Sequence, residues 1–165
     1  MKRIYVGAGC FWGTQEYFRR LKGVENTEVG YGQGRKVSPT YQEVCRGDTG
    51  HAELVLVDFD EHIISLDKIV DHFMRIVDPT SLNKQGNDIG VQYRCGLYSE
   101  NQADIQILQS YVNSYQVHYD KPLVVEVEVL RNFYPAEDYH QDYLVKNPTG
   151  YCHVDFSKIQ NDELK

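Results

Sequence analysis

Twice in this chain a run of strand-forming residues gives way to a helix-spaced stripe and then returns to strand. That alternation limits the fold more than any other feature. "RIYVGAG" reads as a short strand ending in glycines, "TQEYFRRLKG" as a helix, with Glu16 early, Arg19, Arg20 and Lys22 late and Gly23 as its stop, and "VENTEVGYG" as a second strand. "ELVLVDFD" is a third strand; Leu66, Ile69, Val70, Phe73, Met74 and Val77 then fall at helical spacing behind Ser65 as cap, and "VQYRCGLYS" is a fourth strand. Strand–helix–strand twice, joined by a return strand, is the split βαβ plan, with helices on one side of a sheet. One more helix follows a Ser99–Gln102 capping box, with Ala103, Ile107, Leu108, Tyr111, Val112 and Tyr115 as its apolar stripe. In a fifth strand, "LVVEVEVL", valines and glutamates alternate, so one face of that strand is expected to be partly solvated. The expected class is α/β (α+β). At 165 residues, with no linker, repeat or low-complexity tract, the chain reads as a single domain over residues 1–165.

Three stretches have no clean period: residues 33–51, residues 81–90, and an aromatic, acidic tail from Arg131 with a short helix expected around Glu137 to Val145. Long loops inside a compact domain tend to carry function. A net charge of −7 argues against nucleic acid or an anionic membrane surface as partner. No apolar run reaches the length of a membrane span, and the apolar segment of "MKRIYVGAG" is too short for a signal peptide, so the cytoplasm is the expected location. With no heptads, a monomer is expected.

The chain has four cysteines, Cys10, Cys45, Cys95 and Cys152, and no CxxC pair, so neither a disulfide framework nor a zinc scaffold is expected. Cys45 and Cys95 read as buried structural thiols. Cys10 stands out. It lies in "GAGCFWGTQEYF", between a strand and a helix. A thiol at the N-terminal edge of a helix faces free N–H groups and the positive end of the dipole, which favour thiolate. The glycines around it leave room for a substrate to approach. Phe11 and Trp12 suit the wall of an apolar pocket. The competing reading makes Cys10 a buried strand end and the aromatics ordinary core.

"GCFWG", followed by "GDTGHAE", "GNDIGVQYR" and "AEDYHQDYLVKNPTGYC", resembles the A-type peptide methionine sulfoxide reductases over nearly the whole chain, from about Ile4 to Asp155. The resemblance implies a ferredoxin-like two-layer α/β sandwich with long active-site loops and an irregular C-terminal tail. It implies Cys10 as the nucleophile on the sulfoxide sulfur, Phe11 and Trp12 around the substrate methyl, and Glu53 as proton donor to the sulfoxide oxygen. Tyr41 and Tyr93 would hydrogen-bond that oxygen, Asp88 would orient the substrate or the catalytic set, and Cys152 would be the resolving cysteine. The substrates implied are free methionine sulfoxide and proteins that contain it, with the S form alone consumed; thioredoxin is the implied electron source, and no metal or cofactor is implied. Some family members use a further cysteine beyond this point. None follows Cys152, so a direct Cys10–Cys152 bond is expected. Some are fused to a B-type domain, and the chain is either a standalone enzyme or part of such a fusion.

The chemistry accounts for these residue types independently. A sulfoxide sulfur is a weak electrophile until its oxygen is protonated, so a thiolate and a protonated acid must work together at neutral pH. The dipole is expected to lower Cys10, and burial to raise Glu53 from its reference of about 4.3. His51 and His140 are expected to bond loop backbone. Two other classes compete: a Cys/His metal site drawn from Cys10, Cys45, His51, Cys152 and His153, and a non-catalytic, tyrosine-rich peptide-binding module.

Overall fold

The computed structural model describes residues 1–165. β1 (Lys2–Ala8) leads into α1 (Phe11–Arg19), which returns through β2 (Val24–Gly32). A short α2 (Tyr41–Cys45) precedes β3 (Ala52–Phe59), α3 (Leu66–Ile76) and a small hairpin of β4 (Lys84–Gln85) and β5 (Asp88–Ile89). β6 (Cys95–Ser99), α4 (Gln102–Ser114), β7 (Glu126–Val129), β8 (Phe133–Pro135) and α5 (Tyr143–Lys146) complete the chain.

The main sheet has six strands in the order β7-β6-β1-β3-β2-β8. β3 runs antiparallel to both β1 and β2, so β1 and β2 are parallel with β3 between them. By the same logic β3 and β6 are parallel with β1 between them. The two strand–helix–strand units therefore interlock, which is the split βαβ plan of the alternation and the ferredoxin-like arrangement the resemblance implied. β7 adds a parallel edge beside β6, and β8 an antiparallel edge beside β2.

Ile4, Val6 and Ala8 of β1 and Val55, Val57 and Phe59 of β3 alternate toward α1, α3 and α4, where Tyr17, Phe18, Ile69, Phe73, Leu108 and Val112 complete the larger core. On the opposite face Tyr5, Leu54, Leu56 and Tyr98 form a smaller cluster covered by Leu130 and Phe133. Every residue of β3 is buried, as a central strand covered on both faces requires.

Local readings need four corrections. α1 begins at Phe11, not Thr14, and Glu16 does not serve its N-terminus: it forks onto Arg19 and Arg20 at 2.7–2.8 Å. α4 is capped by Asn101, whose side chain accepts from the Ala103 N–H at 2.9 Å, and its buried stripe is Ile105, Leu108 and Val112, leaving Ile107 exposed. Val91–Tyr93 form a 3-10 turn, so β6 starts only at Cys95. Residues 33–51 hold a helix turn with a complete Thr40–Glu43 capping box, a Thr-x-x-Glu signal present in the sequence.

The tail is docked. The Gln141 amide donates to the Val29 carbonyl at 2.9 Å and accepts from the Val29 N–H at 3.0 Å, pairing with β2 as a strand residue would. The helix expected around Glu137 to Val145 is split into a 3-10 turn at Asp138–His140 and α5. No helix is long and apolar enough to cross a membrane.

Candidate active site

Because α1 starts at Phe11, Cys10 is its N-cap residue, at the end of β1 and beside the helix's unpaired N–H groups. β3 lies next to β1 and carries Glu53 near its start. Cys10 and Glu53 meet at one helix end. The Phe11 N–H donates to Glu53 Oε1 at 3.1 Å, and the Trp12 N–H favours the Cys10 thiolate. Acid and thiol thus share the first turn of α1.

Burial decides their protonation. Glu53 is 1% exposed, its Oε2 has no partner, and burial pushes its carboxyl up to about 8 despite the Phe11 N–H, with the nearby charge of Asp88 adding to the rise. It is therefore protonated at neutral pH, as its expected role needs. Cys10 departs from expectation. It is 8% exposed, and burial, followed by the charge of Glu53, pushes the thiol well above its ordinary value; the Trp12 N–H opposes this and does not win. Burial thus favours the neutral form of both groups, where the helix dipole was expected to favour a thiolate. Desolvation of a sulfur anion outweighs the Trp12 N–H, so the direction is the opposite of the one the helix end suggested.

Tyr41, at the first position of α2, and Tyr93, in the turn before β6, are half-buried. Burial raises both phenols, and the charge of Glu53 is the next cause in each case, so both lie in its electrostatic reach. Tyr41 is held by Glu137, whose carboxylate accepts from the Tyr41 N–H at 3.0 Å and from the Tyr31 hydroxyl at 2.9 Å.

Phe11 and Trp12 have different fates. Phe11 is buried against Tyr31 and His140, so it backs the wall and is part of the core. Trp12 is half-buried, stacks on Tyr143 at 3.9 Å, and is the more exposed member of the pair. His140 is the residue that sequence reasoning undervalued. It bonds a side chain, not loop backbone: its Nδ1 accepts from the Trp12 indole N–H at 2.9 Å. Its ring also packs on Phe11, Tyr41 and Tyr139. Burial lowers its pKa, so it is a neutral hub that fixes the indole. No periodicity signals this; only the tail's docking creates it. His51 does bond backbone, through Nε2 and the Lys36 carbonyl at 2.7 Å.

Cys152 comes to α1 from the tail. A methyl group on Gly13 would meet its Sγ at 2.8 Å and Val154 Cγ2 at 3.1 Å; one on Gly9, at φ +85°, would meet Gln85 Cβ at 2.9 Å and His153 Nε2 at 3.0 Å. The glycines around Cys10 therefore admit the β4–β5 hairpin and the tail, and are not simply openings for substrate. Cys152 Sγ accepts from the Val154 N–H at 3.3 Å and is free, as is Cys10. Cys95 is buried, but Cys45 is exposed, contrary to expectation, because it ends the surface turn α2. No group of three or more His, Cys, Asp or Glu side chains is gathered so as to hold a metal ion. A surface depression of about 410 Å³ lies between α3 and α4, away from all of these residues.

The family model for peptide methionine sulfoxide reductase matches residues 2–165. The peptide methionine sulfoxide reductase MsrA of Clostridium botulinum (strain Okra / Type B1) is 52% identical over 154 residues, 93% of this chain and 98% of that protein. Among solved structures, reduced Mxr1 from Saccharomyces cerevisiae has a TM-score of 0.86 at 39% identity, covering 93% of this chain and 91% of its own. Mxr1 in complex with Trx2 has a TM-score of 0.60 at 26% identity, covering 86% of this chain and 84% of its own.

Proposed function

Since the chain belongs to the peptide methionine sulfoxide reductase family, we propose that it reduces the S form of methionine sulfoxide, free or within proteins, through Cys10 and then a Cys10–Cys152 disulfide. The observation that carries the chemistry is the buried Glu53 carboxyl beside Cys10 at one helix end, with Oε2 unpartnered and its pKa pushed up by burial.

In this reading the sulfoxide oxygen enters between Glu53 Oε2 and the phenols of Tyr41 and Tyr93, while the methyl group rests on Trp12. Glu53 protonates the oxygen, which makes the substrate sulfur electrophilic. The Cys10 sulfur attacks as its proton leaves, and Glu53 recovers a proton from the thiol, so the acid is regenerated. Oxygen passes to Cys10: one sulfur–oxygen bond is lost from substrate, one forms on the enzyme, and methionine departs. The product on the protein is a sulfenic acid. The upward push that burial gives the Cys10 thiol suits this order, because the sulfur then gains its full charge only when a polarised sulfoxide is present to receive it.

Cys152 then attacks the Cys10 sulfur, and hydroxide leaves as water with the Cys152 proton. An external dithiol restores both thiols by exchange. The structure of Mxr1 in complex with Trx2 supports a thioredoxin as that dithiol. The test is to mix the reduced protein with each sulfur configuration of methionine sulfoxide and quantify methionine. Consumption of the S form alone is expected; equal consumption of both forms, or of neither, overturns the reading.

A further inference from the structure

Asp88 is already engaged. The Tyr151 hydroxyl donates to its Oδ2 at 2.9 Å, and Tyr151 immediately precedes Cys152. The same carboxylate helps raise both Cys10 and Glu53, so this contact closes within electrostatic reach of the reacting groups.

Cys152 is held unequally on its two sides. After it, Val154 is buried against Gly13, and His153 Nε2 donates to the Ala8 carbonyl at 2.7 Å. Before it, Tyr151 is 40% exposed and follows an exposed turn at Asn147 to Thr149. The contact between Tyr151 and Asp88 is the side-chain bond that ties down this looser side.

We propose that Tyr151 is a positioning residue that competes with substrate for Asp88, so that substrate binding loosens the resolving cysteine. This rests on the reading above, taken with the expectation that Asp88 orients the substrate rather than the catalytic set. An N–H of the substrate backbone is a donor of the same kind as the phenol. Donors that share one carboxylate share its charge, and each weakens the other. When substrate takes Asp88, Tyr151 lifts and Cys152 becomes mobile just before the sulfenic acid it must attack is formed. The resting contact thereby keeps the second thiol in place until an oxidant is bound.

The test uses the full chain. In Cys10→Ser protein, which cannot turn over, alkylation of Cys152 is followed by mass spectrometry of its peptide, with and without a peptide containing methionine sulfoxide. The sulfoxide peptide is expected to accelerate labelling severalfold, and Tyr151→Phe to label fast whether or not it is present. With Cys10 intact, Tyr151→Phe is expected to lower the substrate concentration for half-maximal single-turnover methionine formation about threefold to tenfold, the size of one modest hydrogen bond. The saturated first-turnover rate stays unchanged, and in an Asp88→Ala background, which has no side-chain acceptor, Tyr151→Phe has no further effect. If the parent protein makes methionine but Cys152 labelling ignores both the peptide and Tyr151→Phe, or the two substitutions act additively, the proposal is overturned and the reductase reading stands. If the parent makes no methionine, both fall.

Discussion

The backbone N–H of Phe11 donates to Glu53 across 42 residues of sequence, and this bond places the buried acid at the same helix end as the Cys10 thiol. A carboxyl in that position is stabilised as an anion by the helix and destabilised by burial. Burial prevails and brings it to about 8.

Glu53→Gln is expected to lose activity at pH 7 by about 10²–10⁴, the usual worth of a positioned proton donor. Cys10 should still be alkylated, as followed by mass spectrometry. Full retained activity would assign the proton to a tyrosine or to water.

The same substitution should also act on stability, with a definite sign. The folded pKa of Glu53 is raised from 4.5 to about 8, so folding favours the protonated form. The stability linked to that proton is fully present below 4.5 and is lost as the pH rises through 8. Gln carries no such dependence. Denaturant unfolding should therefore find Glu53→Gln progressively more stable relative to the parent between pH 4.5 and 8, with a constant difference outside that window. For the same reason, the parent's rate should decline above about pH 8 as the acid ionises.

Cys10→Ser should abolish turnover. Cys152→Ser should release about one methionine per enzyme and then stall with thioredoxin as reductant, the stoichiometry of a single oxygen transfer without a resolving thiol. Normal cycling of the second variant would make another thiol responsible, and the exposed Cys45 is the next to test.

Gly13→Ala separates the two chemical steps. Alanine favours the helix by about 1 kcal/mol, but its Cβ would lie 2.8 Å from Cys152 Sγ and 3.1 Å from Val154, so the tail must shift. Rapid-quench analysis should find the first methionine formed at close to the parent's rate and the disulfide formed more slowly. An unchanged disulfide rate would show that the resolving segment does not use this seat.

His140→Leu removes the acceptor of the Trp12 indole N–H and keeps an apolar filling. Freed of that bond, the indole loses its fixed orientation. The expected result is a raised half-saturating substrate concentration with a smaller effect on the saturated rate; the reverse pattern would place His140 in the chemical step.

The alternation of period-2 and period-3.6 segments was enough to foresee the interlocked strand–helix–strand units, because each pattern must bury one face and few layered arrangements allow both. Boundaries were less legible. α1 gained a turn because its first residues pack on β3 and the tail, and residues 91–94 left the strand ladder to present Tyr93, although their sequence reads as strand. The Thr40–Glu43 capping box lay in plain sight within a segment read only as loop.

The order of motifs and the residue types they carry were written in the sequence alone: a thiol between strand and helix, an acid, phenols and a late second thiol. Tertiary structure alone decided their state. Protonation depends on how much water and which N–H groups remain around an atom, and those are set by segments distant in the chain. Thus β3 brought Glu53 to the helix end, burial pushed the Cys10 thiol up, and the docked tail occupied the glycines that looked like openings.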